Sequence, residues 1–350
     1  MVKRKHILIR ADASERLGHG HIYRCLTLAD SLRNKGAEIE FAVSAPSASI
    51  KELIGSKNFK LHALSNNDQT FDWQEDARSV LNLLGQAGSY DWLIVDHYLL
   101  HEKWEALFYK AGLKLLVIDD LAQHRHHCHY LLNQTFNVCA NSYVGLVNND
   151  AHLLLGAQYA LLRPEFNHIK QQMQFRQNNY HMPKIHVFFG STDPFSYAYK
   201  FSKILLENFE YLALKVVTLS HDHVDWKTLR QIFPQKIEIH GLVSDMALNM
   251  ADCDLAFGAP GMATWERGAL GISGIYLATN DNQINILNHL QEQGFCYFLG
   301  SASQIEEDYF IERFREILRD HEKLQAMSQY GFDSIDALGC QRVSEMIMEY

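Results

Sequence analysis

The first residues suited to chemistry follow a short apolar run, residues 7–10, that is typical of a β-strand. The loop after it contains Gly18 and Gly20 and leads into a helical pattern. Ligands of open α/β sheets bind at the carboxyl ends of strands, so this loop lies where a ligand is expected. A dinucleotide-binding fingerprint would place a third glycine at position 23, where the chain has Tyr23. The loop therefore does not favour a nicotinamide dinucleotide.

His21 lies in the first turn of the predicted helix, where the positive end of the helix dipole favours a neutral imidazole. A neutral imidazole can accept a proton from water, which is the task of a general base. His21 is therefore a candidate catalytic base, and Asp12 on the same loop is a candidate for orienting it. In the alternative interpretation, His21 or His19 only caps the helix or donates a ring N–H to a phosphate.

Two turns in the C-terminal half combine small residues with the start of a predicted helix. The first contains Gly190, Ser191, Thr192 and Asp193, and the second contains Gly261, Met262 and Ala263. Such turns present backbone N–H groups, so together they predict a site for a nucleotide diphosphate. Glu266, one helical turn further on, is placed to accept hydrogen bonds from ribose hydroxyls. Taken alone, each turn is equally well explained as an ordinary strand-to-helix connection.

Residues 124–129 contain four histidines and one cysteine, which raises the question of a metal site. Metal ligands must converge, whereas neighbouring side chains of an extended segment point in opposite directions. We therefore predict a loop here and no metal. Asp96, Asp119 and Asp120 end apolar runs and either line a binding cleft or cap the helices that follow.

Strand-like and helical segments alternate along the chain, which predicts an α/β fold. In the first half the predicted strands are 7–10, 38–43, 59–64, 91–95, 113–118, 130–133 and 152–155, and the predicted helices are 20–34 and 72–86. After a polar stretch at 167–183 the predicted strands are 184–189, 214–219, 236–240, 254–257 and 274–277. The helices of that half are 195–208, 244–250, 262–269, 282–293, 305–330 and 333–349.

Two successive arrays of this kind predict two Rossmann-like domains whose parallel sheets face each other across a cleft. We assign residues 1–165 to the domain with the His21 loop and residues 184–330 to a nucleotide-binding domain. Residues 331–350 are predicted to form a C-terminal helix that packs on either domain.

Composition limits the classes of partner. The 350 residues include 41 acidic and 32 basic side chains, giving a formal charge of −9. This balance argues against nucleic acid or an anionic membrane as the main partner but allows a small anionic ligand. The basic start is followed by too few apolar residues for a signal peptide, and no run approaches the roughly 20 apolar residues that span a bilayer. Six scattered cysteines are typical of reduced thiols, so we expect a cytoplasmic protein.

An ordered set of motifs resembles a known family. Gly18-His19-Gly20-His21-Ile22-Tyr23-Arg24-Cys25-Leu26 resembles the G-x-G-H segment of the UDP-2,4-diacetamido-2,4,6-trideoxy-β-L-altropyranose hydrolases of pseudaminic acid synthesis. Residues 95–98, 118–122, 131–134 and 155–166 resemble later blocks of that family in the same order. Thr264-Trp265-Glu266 and Asn282-Gln283 continue the match, which covers roughly residues 6–300.

The resemblance implies a fold of the glycosyltransferase B kind, similar to the lipid II-forming N-acetylglucosaminyltransferase. It also implies hydrolysis of the UDP-sugar, with water activated by His21 attacking the anomeric carbon and UDP leaving without a metal or other cofactor. The substrate-binding residues expected from the family match and the two turns are Gly18, Gly20, Tyr98, Arg163, Gly190, Ser191, Thr192, Asp193, Gly261, Met262, Ala263, Glu266, Asn282 and Gln283.

The chain departs from the family pattern at two places. The family turn G-G-S-D-P corresponds here to Gly190-Ser191-Thr192-Asp193-Pro194, and Pro260 replaces the first of two paired glycines in the later loop. Proline removes an N–H that a phosphate could use. A UDP-sugar glycosyltransferase, a hydrolysing 2-epimerase and a non-enzymatic UDP-sugar sensor remain alternatives, and a monomer is compatible with the sequence.

Overall fold

The computed structural model of the chain describes residues 4–13, 19–64, 71–86, 90–136, 138–173, 175 and 177–350. The chain divides into two compact units. The first unit comprises Met1–Leu162 together with Leu338–Tyr350, and the second comprises Arg163–Ala337.

Within the described residues, the first unit contains a sheet of seven parallel strands in the order β3-β2-β1-β4-β5-β6-β7. The strands are β1 (His6–Ala11), β2 (Glu38–Ser44), β3 (Lys60–Leu64), β4 (Trp92–Asp96), β5 (Lys114–Ile118), β6 (Tyr130–Asn133) and β7 (His152–Leu155). Alternate residues of β1 enter different cores, with Ile7 and Ile9 on one face of the sheet and Leu8 on the other. The strands are apolar on both faces because helices cover both faces.

The second unit contains a parallel sheet in the order β10-β9-β8-β11-β12-β13. Its strands are β8 (Lys184–Phe188), β9 (Ala213–Val217), β10 (Ile237–His240), β11 (Leu255–Gly258), β12 (Ser273–Ala278) and β13 (Cys296–Ser301). The prediction of an α/β protein with two parallel sheets is confirmed.

The described helices cover both sheets. They are α1 (Gly20–Asn34), α2 (Ala48–Ser56), α3 (Trp73–Gln86), α4 (Glu102–Lys110), α5 (Pro164–Gln172), α6 (Tyr197–Asn208), α7 (Val224–Ile232), α8 (Met246–Met250), α9 (Met262–Ala269), α10 (Asn282–Glu292), α11 (Glu307–Arg319), α12 (His321–Ser334) and α13 (Gly339–Glu349).

Both sheets have a point at which the strand order reverses. In the first sheet β1 lies between β2 and β4, and in the second β8 lies between β9 and β11. Connections from neighbouring strands diverge to opposite faces at such a point and leave a crevice at the carboxyl edge. The loops after β1 and β4, and those after β8 and β11, are therefore the positions at which each unit can hold a ligand.

The structure corrects several predicted segments. Helices α2, α4, α5 and α7 and strand β13 lie in stretches for which no regular element was predicted. The region 305–330 is two helices, because the Asp320 carboxylate accepts from the Lys323 N–H and starts α12. Residues 331–350 are likewise divided, since α12 ends in the second unit while α13 belongs to the first.

The docking of α13 depends on a close backbone approach. A Cβ atom on Gly339 would lie 2.2 Å from the Ala160 carbonyl oxygen and 2.5 Å from the Tyr159 carbonyl carbon. Both contacts are to backbone, which cannot move aside as a flexible side chain can. Only glycine therefore allows the start of α13 to lie against this segment.

We expect Gly339→Ala to lower the free energy of unfolding by about 1–3 kcal/mol, as overpacking does in other cores. Gly55→Ala is the matched control, because Gly55 lies in α2 with open space around its Cα, and alanine there is neutral or stabilising. Thermal unfolding of both variants measures the difference. Equal melting temperatures for Gly339→Ala and the wild type would contradict the close approach.

Candidate functional site

The first unit brings two carboxylates and a histidine together at the point where its strand order reverses. Asp96 is the last residue of β4, and Asp120 follows β5. His21 lies in the first turn of α1, whose N-terminus follows the loop after β1. These elements are adjacent because β1, β4 and β5 are neighbouring parallel strands with their carboxyl ends at one edge. His21 and Asp96 are both buried.

The His21 side chain is held by Asp96. The distance from His21 Nδ1 to Asp96 Oδ1 is 2.6 Å. An ionised carboxylate can only accept, so Nδ1 carries the proton of this bond and Nε2 is the nitrogen able to accept a proton. Burial alone would raise the pKa of Asp96, but the charge of Arg24 and the hydrogen bonds from Arg24 and His21 hold it well below its usual range. Asp96 therefore stays ionised and fixes the ring orientation of His21.

Arg24 connects this pair to a second carboxylate. Its Nε donates to Asp96 Oδ2 over 2.6 Å and its Nη2 to Asp96 Oδ1 over 2.5 Å. Its Nη1 donates to Asp120 Oδ2 over 2.7 Å. The Tyr98 ring meets the His21 ring edge-on, with centroids 4.6 Å apart. Burial, followed by the charge of Asp120, raises the pKa of the Tyr98 hydroxyl, which keeps it neutral.

Asp12 does not orient His21, contrary to the sequence prediction. Its carboxylate instead accepts from the fully buried Arg10, including an Nη2 contact of 2.9 Å, and from the Ser44 backbone N–H at 2.8 Å. Burial would raise the pKa of Asp12, but Arg10 and His97 hold it well below its usual range. The reason for the error is geometric: Asp12 follows β1 directly, whereas the carboxylate facing α1 is at the end of the neighbouring strand β4.

His97 forms a second histidine–aspartate pair but offers no free nitrogen. Its Nε2 lies 3.0 Å from Asp12 Oδ2, and its Nδ1 accepts from the Leu99 backbone N–H over 3.0 Å. Burial, the largest influence, lowers the pKa of His97. Both ring nitrogens are committed to the fold, so His97 is unsuited to proton transfer with a ligand.

The other residues predicted in the loop after β1 lie close to the start of α1. Gly20 is exposed and is the first residue of α1, and His19 precedes it without a side-chain capping bond. Gly18 lies outside the described residues.

The histidines of residues 124–129 are distributed among different partners. His126 Nδ1 lies 2.7 Å from the buried Glu105, whereas His129 Nδ1 accepts from the Leu115 N–H. Among the residues that the structure describes, His6, Glu38 and Glu40 each offer a ligand atom within 4.8 Å of the others. The Lys60 ammonium already lies 3.1 Å from Glu40, so this group is better explained as an ion-pair cluster.

In the second unit, Asp193 acts as a helix cap. Its carboxylate accepts from the Tyr197 and Ala198 N–H groups, both over 2.9 Å. These are N–H groups of the first turn of α6 that a phosphate would need. The prediction of Asp193 as a substrate contact therefore conflicts with its position, while Gly190, Ser191 and Thr192 remain partly exposed in the turn before it.

The turn before α9 is better suited to an anion. Gly261 caps the helix, the first turn contains no acidic residue, and Met262 and Ala263 are its first two residues. The chain enters this turn through Gly258, where a Cβ would lie 1.9 Å from the Phe188 carbonyl oxygen. The loop after β11 therefore lies directly against the end of β8.

Arg163 and Glu266, predicted from separate motifs, meet in the second unit. Arg163 Nη2 donates to Glu266 Oε1 over 3.1 Å. Burial raises the pKa of Glu266 and Arg163 opposes that rise, so the arginine favours the ionised acceptor. Gln283 is partly committed, because its Oε1 accepts from the Thr279 N–H over 2.8 Å, while Asn282 is exposed at the start of α10.

The residues missed from the sequence are the partners of the predicted ones. Asp96 was noted only as a strand end, and Arg24 only as part of a motif. The spacing contains a signal for Arg24, which lies three residues after His21 and therefore on the same face of α1.

No helix among the described residues is both long enough and apolar enough to cross a membrane.

Comparisons with known proteins give two relatives. No protein-family model matches the chain. The chain is 26% identical to the uncharacterized protein MJ1062 of Methanocaldococcus jannaschii, over 97% of the chain and 68% of that protein. It is 32% identical to the UDP-2,4-diacetamido-2,4,6-trideoxy-β-L-altropyranose hydrolase of Campylobacter jejuni over 161 residues. That second match covers 46% of the chain and 53% of the hydrolase.

Solved structures share the fold over nearly the whole chain. The Acinetobacter baumannii MurG structure superposes with a TM-score of 0.70 at 13% identity, covering 99% of this chain and all of that one. The rhamnosyltransferase SpnG with thymidine diphosphate gives 0.65 at 14% identity, over 98% and 100% of the two chains. Staphylococcus aureus MnaA with UDP gives 0.63 at 12% identity, over 99% and 96%. The fold is of the glycosyltransferase B kind.

We expect Asp193→Ala to lower the free energy of unfolding by about 1–2 kcal/mol, because the first turn of α6 loses its cap. Asp222→Ala is the control: its side chain is 85% exposed, and its pairing with His221 is a surface contact. Urea unfolding of the two variants provides the comparison. An Asp193→Ala protein as stable as Asp222→Ala would show that the capping bonds contribute nothing.

Proposed function

We propose that the protein hydrolyses UDP-2,4-diacetamido-2,4,6-trideoxy-β-L-altropyranose to UDP and the free sugar, as an enzyme of the cytoplasm. The observation that carries the proposal is the His21–Asp96 pair, at 2.6 Å, at the carboxyl edge of the first sheet. A buried histidine whose Nδ1 is held by a carboxylate is arranged to accept a proton at Nε2. The 32% identity to the Campylobacter hydrolase over 161 residues supports the substrate class.

In the proposed reaction, the oxygen of a water molecule attacks the anomeric carbon while its proton passes to His21 Nε2. The bond between that carbon and the UDP oxygen breaks, and UDP leaves with the electron pair. Positive charge develops on the sugar ring in such displacements. Asp96 accepts from Nδ1–H throughout and stabilises the imidazolium that forms. UDP is a good leaving group, so no general acid is needed where its growing charge is stabilised.

The second unit supplies the candidate nucleotide contacts. The N-terminus of α9 has no acidic residue in its first turn and is suited to the diphosphate. Glu266, whose carboxylate accepts from Arg163, is suited to accept also from the ribose hydroxyls. Tyr98 in the first unit lies against His21 and is a candidate contact to the sugar or its leaving oxygen.

The decisive experiment is proton NMR of the UDP-sugar with the purified protein in EDTA. We expect free sugar and UDP to appear with the wild type, and His21→Ala to be slower by about 10²–10⁴-fold while still binding UDP, because only the base is lost. His168→Ala is the matched control, since His168 is an exposed histidine of α5 that contacts Gln172, and it should keep ordinary turnover. An unchanged substrate spectrum with the wild type would overturn the substrate assignment, and a C2-inverted product would indicate an epimerase.

Asp96→Asn tests the positioning of the base. An asparagine amide can donate towards His21 Nδ1, which moves the proton to Nε2 and removes the acceptor. We expect kcat to fall by about 10²–10⁴-fold with KM changed by less than about threefold. Asp30→Asn is the control, since Asp30 lies on α1 but pairs with Arg33 and Lys57. Retention of full kcat in a folded Asp96→Asn protein would exclude this role for Asp96.

A further inference from the structure

Arg267 is a fully buried cation beneath the predicted nucleotide loop. It follows Glu266 in α9 and has no exposed surface. Its Nη1 donates to the Ala259 carbonyl over 3.4 Å and its Nη2 to the Phe188 carbonyl over 3.2 Å. These carbonyls belong to the ends of β11 and β8, which flank the point where the strand order of the second sheet reverses. The guanidinium therefore lies under the connection from β11 to α9.

Arg267 forms no ion pair in the part of the chain that the structure describes, and the nearest carboxylate, Glu266, acts on it only through the attraction of their charges. Glu266, the neighbouring carboxylate, pairs with Arg163 instead. Its other neighbours are the two carbonyl dipoles and Tyr276, whose hydroxyl forms a hydrogen bond with Arg267 and whose ring centroid is 5.3 Å from the guanidinium carbon. Arg267 Nε is buried without a hydrogen-bond partner. A buried charge is costly when no ion pair offsets its desolvation, and an anion bound at the loop would lower that cost.

The backbone of the loop after β11 passes close to Arg267. A Cβ on Gly258 would lie 3.3 Å from Arg267 Nη2, so the backbone there lies in contact with the guanidinium. The same loop leads into the N-terminus of α9, which contributes further positive potential. Side-chain charge and helix dipole therefore act at the same short segment, residues 258–264.

We propose that Arg267 is a positioning residue that holds the diphosphate of the nucleotide at residues 258–264 by its charge, acting through the loop. This inference rests on the proposed function for placing a nucleotide diphosphate at this loop. Away from water, the attraction between a guanidinium and a diphosphate persists over several ångströms. Negative charge grows on UDP as the bond to the sugar breaks, so Arg267 favours the transition state more than the bound substrate.

The test compares Arg267→Gln with Arg267→Lys, because glutamine keeps a hydrogen-bond donor without the charge and lysine keeps the charge. Calorimetric titration with UDP and with uridine separates the diphosphate from the rest of the nucleotide, and thermal melting reports folding. Arg230→Gln is the matched control, since Arg230 is an exposed arginine of the same unit that also donates to a carbonyl, that of Ile239.

We expect Arg267→Gln to weaken UDP binding about ten- to a hundredfold with uridine binding unchanged, and Arg267→Lys to stay within about threefold of the wild type. Equal losses for UDP and uridine, or a folded Arg267→Gln that binds UDP like the wild type, would overturn the inference. A wild type that binds uridine as tightly as UDP would overturn it without any variant. A wild type that binds UDP preferentially but leaves the UDP-sugar intact would refute the hydrolase and leave the role of Arg267 standing.

Discussion

The site of the first unit depends on one buried cation, Arg24. Its guanidinium donates to Asp96 at the end of β4 and to Asp120 after β5, and thereby joins helix α1 to two strand ends. Two carboxylates this close would repel each other without it, and their desolvation would favour protonation. Removing one partner of such a buried pair typically costs about 3–5 kcal/mol. The orientation of His21 follows from this arrangement, because the carboxylate that holds its Nδ1 is the one that Arg24 keeps ionised.

The two sheets differ in how the buried arginines at their reversal points are paired. At the reversal point of the first sheet, each buried arginine has carboxylate partners: Arg24 has two, and Arg10 pairs with Asp12 and Asp76. At the reversal point of the second sheet, Arg267 donates to two backbone carbonyls and contacts Tyr276, and it forms no ion pair among the described residues. The cations of the first edge are thus held in ion pairs around the candidate base, whereas Arg267 forms no ion pair and lies beneath the loop proposed to hold an anion.

The sequence predicted the elements that have strong apolar patterns and missed those that do not. Strands β1 and β4 are short runs of buried aliphatic residues, and their positions followed from that pattern. Strand β13, with Gly300 and Ser301 at its end, lies at the edge of its sheet and carries a weaker pattern. The predicted start of α1 made His21 a candidate base, but proximity in the chain could not predict its partner. Asp12 is nine residues away and Asp96 seventy-five, and the pairing of β1 with β4 brings Asp96 to His21. The prediction for Asp193 was wrong for a related reason. An aspartate in a turn can accept either from the N–H groups of its own helix or from a ligand, and the sequence does not show which way its carboxylate points.

The two units offer different groups to the proposed reaction. A general base alone accelerates attack by water only modestly, so most of the barrier must be lowered at the leaving group. In the proposed reaction the departing UDP carries its developing charge on the β-phosphate, and the loop before α9 offers a helix N-terminus together with the nearby guanidinium of Arg267. Pro260 removes one N–H from this loop but leaves those of the following helical turn in place. Each unit therefore offers one of the two requirements of the proposed displacement: the first a base held in a fixed orientation, the second a site for the leaving charge.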